Sequence, residues 1–433
     1  MTNPRNDKSP ESRFVEVFDR QVGLMQNGST DVWKKRRREA MRVFAETGFP
    51  TPKTEAWKYT PVRRWIRDDL RLVPDVAPAT GRAPLAELPG VHIRTANGMP
   101  ADDLSQELPD GLTVTTLRQA QEKAPDIIRD YLSKAVVLDR DTFSALGSAF
   151  ADDGLLIHVR KGAVIEQPVY VHHLGASEGA FIQPRMLTVI EAGAHVQIVE
   201  YFSDAGVAHF ENRLGEIFVG PRANGRHLSI FERSDQAVMV NSLFVHQDEE
   251  SVFSTNHFTF GGNMVRNNLN FLPDAEYCET NLNGLYLAAG DAHIDNHTFV
   301  DHAKPNCVSN ELFKGILTDR ARGVFNGKVL VRQDAQKINA YQSSKSIVLS
   351  PDARNYSKPE LEIYADDVKC SHGATTGELD PESVFYLRSR GVSEQRARLL
   401  LLEAFARDIV DLVAVDGIRE YLNSRLQELL AGE

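Results

Sequence analysis

The sequence contains few cysteines, and none of them forms a C-x-x-C pair. Cys278, Cys307 and Cys370 are the only three in 433 residues. A small, odd number does not support a disulfide scaffold, and without C-x-x-C no ordinary zinc site or complete iron–sulfur site follows from local spacing. Because free thiols are typical of a reducing compartment, we expect a cytoplasmic protein.

Long apolar segments are also missing. No run comes near the roughly 18 residues that a membrane-spanning helix requires, and the four leucines at 399–402 are among the longest. The chain opens with the polar run MTNPRNDKSPESR and shows no apolar leader segment there. We therefore expect neither a secretory leader nor a membrane span.

Neither a nucleotide-binding loop nor an excess of basic residues is present. The string at 323–329 comes nearest to a P-loop, but it is one residue short and lacks the hydroxyl that would hold Mg²⁺. Lys and Arg total 49 against 60 Asp and Glu, which gives a net charge of −11. We therefore predict neither an ATPase nor a nucleic-acid binder, and we interpret the basic run 34–38 as a solvated helix face.

Three regions differ in composition and predict three domains. Residues 1–150 combine helical patterns, two short strand-like runs and a proline-rich stretch at 73–90, and Pro125 is expected to restart a helix. Residues 151–372 form a long series of short runs with period-two alternation, which predicts strands. Residues 373–433 show helical patterns.

Small-residue corners separate the strands of the middle region. Ala321, Ala335 and Ala353 are 14 and 18 residues apart, which is too short for βαβ units because their crossovers need a helix. The spacing favours strands and corners that alternate around a β-solenoid, with a β-sandwich as the alternative. Asparagines concentrate between Asn256 and Asn296, and we interpret them as corner residues because asparagine tolerates the left-handed conformation.

The C-terminal region contains two helix starts. Asp380 can cap a helix with Pro381 at its first position, and Ser393 can cap the next. The second helix carries an apolar stripe made of Leu399, Leu402, Phe405, Ile409 and Leu412. Such a stripe either covers the end of the sheet stack or binds a partner, and the pattern leaves both open.

The string Cys370-Ser371-His372 places two metal-binding side chains two positions apart. In an extended strand they lie on the same face, so both could approach one bound species. Two ligands cannot complete an iron or zinc site, and the rest must come from elsewhere. The alternative is a buried small thiol beside a hydrogen-bonded histidine.

His293, Asp295 and His297 alternate in the same way. Two imidazoles and a carboxylate are the ligand set of an iron(II) triad, and Cys307 is nearby in the sequence. An independent iron-binding protein is therefore a second hypothesis. Its alternative is a polar strand face exposed to solvent.

Residues 361–392, LEIYADDVKCSHGATTGELDPESVFYLRSRGV, closely resemble the SufD-type members of the SufB/SufD family, which serves the SUF iron–sulfur cluster assembly system. The resemblance extends to residues 54–65, 162–169, 296–317 and 324–344 and so covers most of the chain. The string C-S-H-G-A-T is similar to SufD, whereas SufB typically has a C-E-H-E-A-T type of string at this place.

The resemblance implies a right-handed parallel β-helix flanked by an N-terminal α/β region and C-terminal helices. It implies a non-catalytic scaffold that pairs with a SufB-like paralogue along an edge of the solenoid and docks a SufC-like ATPase. His372 would bind iron or a cluster at the SufB interface, with Cys370 beside it. This cargo would be transient, shared with SufB and not bound stably by the chain alone. ATPase docking would fall on the helical end, with Leu399, Leu402, Phe405 and Ile409 as the anchor or as its packing.

Two further interpretations stay open. In the absence of SufB, a homodimer through the same solenoid edge is plausible because an unpaired edge seeks a partner. β-Helices also host polysaccharide-active enzymes, although the free cysteines and the polar start of the chain oppose that interpretation.

Overall fold

The computed structural model of the chain describes residues 9–25, 31–71, 83–101, 104, 107–174 and 177–431. Strands hold 42% of the residues and helices 25%, arranged as a β-solenoid of about 8 turns with an N-terminal α/β region and a helical C-terminus. The predicted mainly β solenoid is therefore confirmed. Residues 73–82 of the proline-rich stretch lie outside the described residues.

The N-terminal region combines helices with short strands that begin the two sheets. Its elements are α1 (Pro10–Met25), α2 (Asp31–Thr47), the 3₁₀ turns Glu55–Trp57 and Val62–Arg64, β1 (Val91–Ala96), β2 (Met99–Pro100), β3 (Leu112–Thr116), α3 (Leu117–Lys123), α4 (Pro125–Tyr131) and α5 (Thr142–Phe150). Pro125 is the first residue of α4 and restarts the helix as predicted, because a proline at this position needs no N–H partner.

The solenoid follows in seventeen described strands. They are β4 (Leu155–Val159), β5 (Val169–Leu174), β6 (Phe181–Ile182), β7 (Arg185–Ile190), β8 (His195–Ser203), β9 (His209–Val219), β10 (Asn224–Arg233), β11 (Ala237–Gln247), β12 (Val252–Gly261), β13 (Met264–Pro273), β14 (Glu279–Ala288), β15 (His293–His302), β16 (Val308–Leu317), β17 (Arg322–Val331), β18 (Ile338–Val348), β19 (Arg354–Ile363) and β20 (Val368–Gly377).

Successive strands from β8 onward alternate between two sheets, and each pairs in parallel with the next strand but one. The first sheet has the order β2-β1-β5-β8-β10-β12-β14-β16-β18-β20, and the second has the order β19-β17-β15-β13-β11-β9-β7-β4-β3. Asn224 pairs with Val252 and Val252 with Glu279, so a turn takes 27 or 28 residues there. Parallel pairing between turns excludes the sandwich alternative, whose sheets are antiparallel.

The two ends of the solenoid differ. At its beginning, β2 pairs antiparallel with β1 and β3 pairs antiparallel with β4. At its far end, β20 and β19 are the last strands of the first and second sheets, and each has a neighbour on one side only among the described residues. We call β19 and β20 the terminal rung. Its outer edge presents backbone groups that no strand of the described chain pairs with.

One corner of the solenoid repeats the same backbone conformation from turn to turn. The residue shortly before each first-sheet strand from β8 to β18 has a left-handed φ of 55–67°, and these residues are Gly193, Arg222, Glu250, Tyr277, Asn306 and Lys337. Most of them are not glycine, so the conformation is strained. Hydrogen bonds to the next turn stabilise this conformation, such as the one that Arg222 N–H donates to the Glu249 carbonyl at 2.8 Å. At the corners, Ala321, Ala335 and Ala353 are buried.

The asparagines predicted at corners lie inside strands instead. Those quoted between Asn256 and Asn296 fall within β12 to β15. In the interior, Asn241 Nδ2 donates to Asn267 Oδ1 at 3.0 Å, and Asn267 Nδ2 donates to Asn296 Oδ1 at 2.9 Å. Because each amide carries a donor and an acceptor, asparagines at one register position satisfy each other between turns. A shift in register between two turns would break these asparagine hydrogen bonds and is therefore unfavourable.

The C-terminal region forms α6 (Pro381–Ser389), α7 (Glu394–Val410) and α8 (Asp416–Ala431). Asp380 accepts backbone hydrogen bonds at the start of α6, and Ser393 accepts one at the start of α7, as predicted. The last strand continues to Gly377, past the domain boundary expected at residue 372. In the part of the chain that the structure covers, no helix has the length and apolar character needed to cross a membrane.

The apolar stripe of α7 packs against the chain's own solenoid. Leu402 and Ile409 are buried in one cluster with Leu285 of β14, and Leu399 and Phe405 are partly buried against it. The stripe therefore covers the outer face of the first sheet, which is one of the two alternatives that the pattern left open. The N-terminal helices cover the outer face of the second sheet in the same way.

Leu402→Ala is expected to lower the free energy of unfolding by about 2–5 kcal/mol, because it removes buried methyl groups and leaves a cavity. Leu402 is 4% exposed, whereas Leu412, just beyond the same helix, is 50% exposed. Leu412→Ala is therefore the matched control, with an expected change within about 0.5 kcal/mol. Urea unfolding of both variants measures the difference, and equal losses would contradict the packing of α7.

Candidate functional site

The last strand carries both members of the predicted half-site. In β20, Cys370 pairs in register with Ala340 of β18, and His372 pairs with Gln342. Ala340 and Gln342 are buried, and Cys370 packs against the same interior cluster as Ala340. Because in-register strands keep equivalent residues on the same face, Cys370 and His372 both lie on the inward side of the terminal rung. The shared face that the spacing predicts is confirmed.

The two side chains differ in exposure, and burial affects the thiol. His372 is exposed, since no described strand stacks on β20. Cys370 is half-buried, and burial raises the pKa of its thiol, opposed in part by a hydrogen bond with the Ala340 backbone. The thiol is therefore protonated at neutral pH, and only the thiolate binds metal strongly. His372 is the more available ligand of the two.

The three residues of the predicted iron triad come together on the outer face of β15. His297 Nε2 is 3.0 Å from Asp295 Oδ1, and Arg266 Nη1 donates to Asp295 Oδ2 at 2.7 Å. Thr60 also donates to Asp295, and its Oγ1 is 2.8 Å from His293 Nε2. A guanidinium therefore occupies the position beside the carboxylate that a metal cation would take.

The electrostatics of this cluster follow from the same contacts. Burial alone would raise the pKa of Asp295, but the positive charge of Arg266 and the contacts with His297 and His293 together outweigh it and hold the pKa well below its ordinary value. Burial lowers the pKa of His293 to about 4, so this ring stays neutral. No group of three His, Cys, Asp or Glu residues in the described ranges is arranged to hold a metal ion. The solvent-exposed alternative also fails, because Asp295 and His293 are buried.

Residues 54–65, which we call the N-terminal clamp, cover this cluster. The Arg266 guanidinium carbon lies 3.7 Å from the centroid of the Trp57 ring, and Arg266 Nη1 donates to the Ala56 carbonyl at 2.8 Å. Trp65 Nε1 donates to Asn263 Oδ1 at 2.8 Å. The sequence gives no sign of these partners, because they lie about 200 residues away along the chain.

The clamp also reaches the terminal rung. Lys358 Nζ of β19 donates to Glu55 Oε1 at 2.7 Å, and Tyr59 stacks on Tyr356 of β19 with ring centroids 4.5 Å apart. The clamp therefore ties β13 and β15 to the outer face of the last strand of the second sheet.

Cys307 lies inside the solenoid and not beside the triad. The Sγ atoms of Cys307 and Cys278 each lie 3.2 Å from the Ala275 carbonyl oxygen, and both cysteines are buried. They occupy equivalent positions in adjacent turns, since the N–H of Val308 donates to the carbonyl of Cys278. Their surroundings are those of packing residues.

The apolar residues expected to anchor an ATPase are largely covered by the chain itself, and other apolar residues of the helical end are exposed. Leu402 and Ile409 are buried against the chain's own sheet, so a partner cannot reach them. Phe385 and Tyr386 of α6 are instead 70% and 58% exposed. The sequence signal for this surface is the run at 384–387, which is apolar all round a short helix and cannot be buried on every side.

The chain is similar to known proteins over most of its length. Residues 173–405 match the profile described as SUF system FeS cluster assembly, SufBD core domain, and residues 8–171 match the SufBD protein N-terminal region. An iron–sulfur cluster assembly SufBD family protein of Synechocystis sp. is 29% identical over 91% of each chain. The iron–sulfur cluster assembly proteins SufD of Escherichia coli and Bacillus subtilis are 28% and 27% identical, over 90% and 75% of this chain and 92% and 75% of theirs.

Arg266→Met is expected to lower the free energy of unfolding by about 3–5 kcal/mol, because it leaves the Asp295 carboxylate buried without its counter-charge. The side chains of Arg266 and Asp295 are 3% and 0% exposed. Arg320→Met is the matched control, since Arg320 pairs with Asp291 and these side chains are 67% and 75% exposed. That control should leave the free energy of unfolding nearly unchanged, because the exposed pair is screened by solvent. Thermal or urea unfolding measures both, and a small loss for Arg266→Met would show that the clamp does not depend on this pair.

Proposed function

The chain belongs to the SufBD family of the SUF iron–sulfur cluster assembly system, and on that premise we propose that it is a SufD-type scaffold subunit without turnover of its own. It pairs with a SufB-like paralogue, docks a SufC-like ATPase and holds iron or a nascent cluster in transit to other proteins. The observation that carries the proposal is His372, an exposed imidazole on the inward side of an open terminal rung.

The terminal rung supports pairing through an edge. Its two strands offer backbone N–H and C=O groups along one side, and a second solenoid placed there continues both sheets. The beginning of the solenoid ends differently, in the short edge strands β2 and β3, which pair antiparallel with β1 and β4. A SufB-like chain is the proposed partner at this edge. A second copy of this chain presents the same edge and forms a homodimer when SufB is absent.

The cargo at this seam is iron or an iron–sulfur cluster, held for a short time. The His372 imidazole is available to solvent, and imidazole is a ligand type that suits iron. The Cys370 thiol is held in its protonated form by burial and must release a proton before it can bind. The remaining ligands come from the paired chain. An incomplete ligand set on each side suits release as well as capture.

The ATPase docks on the helical end, with α6 as its contact surface. Phe385 and Tyr386 supply exposed aromatic anchors of the kind that dominate protein interfaces. The next helix is fixed to the solenoid, because Leu402 is buried there and Lys314 Nζ of β16 donates to the Phe405 carbonyl at 2.8 Å. A load applied by the ATPase to α6 is therefore passed to the first sheet, whose last strand carries His372.

His372→Ala is expected to lower cluster yield about tenfold or more. Loss of a residue that only supports a metal ligand already weakens metal sites on this scale. The fold should stay intact, because the side chain is exposed. Cluster absorbance in a reconstitution with SufB and SufC partners measures the yield, and a melting curve checks the fold. Ser371→Ala, at an exposed neighbouring position, is the control, and Cys370→Ala should have a smaller effect. Unchanged yield in His372→Ala would overturn the assignment of the ligand.

The double variant Phe385→Ala, Tyr386→Ala is expected to weaken ATPase binding at least tenfold, because an aromatic anchor is worth about 2 kcal/mol. Stability should hardly change, since no residue of α6 is buried. Titration of the labelled chain with a SufC-like ATPase measures the affinity. Leu412→Ala removes an exposed apolar side chain outside α6 and serves as the control. Equal affinity of the double variant and the original chain would exclude α6 as the contact.

A further inference from the structure

A column of buried polar side chains leads up to the terminal rung inside the solenoid. Thr298 Oγ1 of β15 donates to Glu311 Oε2 of β16 at 2.5 Å, and Gln342 Nε2 of β18 donates to Glu311 Oε1 at 3.3 Å. All three residues are 3% exposed. The next residue of this register column is His372, which pairs with Gln342.

The contact with Glu311 fixes which way the Gln342 amide points. No basic side chain pairs with Glu311 among the described residues, and burial raises the pKa of Glu311 to about 7. Both forms of the carboxyl group keep an acceptor oxygen for Nε2, since a protonated carboxyl retains its carbonyl oxygen. The amide nitrogen faces the acceptor oxygen Glu311 Oε1, and the amide oxygen faces away.

The amide oxygen of Gln342 is left without a partner. Gln342 Oε1 is buried and accepts no hydrogen bond within the described part of the chain. Gly327 of β17 makes room for this amide, because a Cβ at that position would collide with Gln342 Nε2. A buried acceptor without a donor is unfavourable because it has lost its hydrogen bond to water, so the site favours a donor that arrives from the neighbouring rung.

Two histidines elsewhere in the same sheet show which ring atom meets such a neighbour. His227 Nδ1 is 2.9 Å from Oγ1 of its register partner Thr255. His173 Nδ1 is 3.0 Å from Oγ1 of its register partner Thr95. In both cases Nδ1 contacts the in-register residue of one adjacent rung, and Nε2 contacts the Glu200 carboxylate of β8, which is the adjacent rung on the other side.

We propose that Gln342 is a positioning residue for His372: its Oε1 accepts a hydrogen bond from His372 Nδ1–H and so leaves Nε2 unprotonated and directed at the cargo. This inference rests on the proposed function only for the identity of that cargo. A hydrogen bond at the far ring nitrogen fixes both the tautomer and the orientation of a metal-binding histidine. Gln342 itself does not contact the cargo.

The test reads the tautomer of His372 in the isolated chain without iron. Long-range ¹H–¹⁵N correlation of ¹⁵N-histidine-labelled protein, at a pH well above the ordinary histidine pKa of about 6.5, distinguishes the protonated from the unprotonated ring nitrogen. The chain contains 13 histidines, and the His372 signals are those missing from His372→Ala. The expected form is Nδ1–H, the reverse of the Nε2–H form that free histidine prefers.

Gln342→Met is expected to return His372 to the Nε2–H form, because it keeps the length of the side chain and removes the amide. Ser344→Ala is the matched control: Ser344 is 2% exposed, faces the same interior and pairs in register with Ala374. It should leave the His372 signals unchanged. Unchanged His372 signals in Gln342→Met, or the Nε2–H form in the original chain, would overturn the proposal.

A second variant decides the matter if Gln342→Met does not fold. Gly327→Ala keeps Gln342 and displaces its amide. It should change the chemical shifts of the two His372 ring nitrogens toward the Nε2–H form, as expected for Gln342→Met. Signals identical to those of the original chain would overturn the proposal. These readouts need neither cluster nor partner. They can fail while His372→Ala still lowers cluster yield, and they can succeed while it does not, so the two proposals fail separately.

Discussion

The stacking of one turn on the next is the constraint on which the rest of this structure depends. In a parallel solenoid, every backbone N–H and C=O of a rung is satisfied by its neighbours, so a rung without a neighbour is incomplete. The chain treats its two ends differently, with antiparallel strands β2 and β3 at the beginning and an open β19 and β20 at the far end. The proposed ligand lies where the stack stops, so the proposed function makes pairing and cargo capture one event at one edge.

Much of this architecture could be predicted from local patterns. The spacing of Ala321, Ala335 and Ala353 reflects the half-turns, because small residues are needed wherever the chain turns over a packed corner. The i, i+2 relation of Cys370 and His372 is a property of any strand. The caps at Asp380 and Ser393 are local as well.

Other features depend on partners that are remote in sequence. The alternation of His293, Asp295 and His297 shows a shared face but not what covers it, and Arg266 and Thr60 reach Asp295 from far along the chain. The stripe on α7 shows an apolar face, but a pattern cannot distinguish the chain's own sheet from another protein. The interior asparagines failed as a corner signal for a similar reason. A stacked amide is satisfied by the turn above and below, and that partner appears only once the register is known.

The solenoid interior changes its electrostatic character along its axis. Near the middle, Glu200 is bound by Arg213 and lies 2.7 Å from His227, and these partners hold its pKa well below the ordinary value although burial alone would raise it. Toward the open end, Glu311 has only Thr298 and Gln342 as hydrogen-bond partners among the described residues, and burial raises its pKa. Along the axis, the buried carboxylate is therefore held by charged partners near Glu200 and by neutral hydrogen-bonding partners near Glu311.

The N-terminal clamp has a mechanical consequence. A terminal rung that was stabilised only by pairing with the preceding turn would unfold strand by strand from its open edge. Here Arg266 in β13 and Tyr356 in β19 are joined through one continuous segment, 54–65, that runs along the outside of the stack. Unfolding of the last strand of the second sheet must therefore also detach the N-terminal clamp. The two unfold cooperatively, and the terminal rung can bear elastic strain before it detaches.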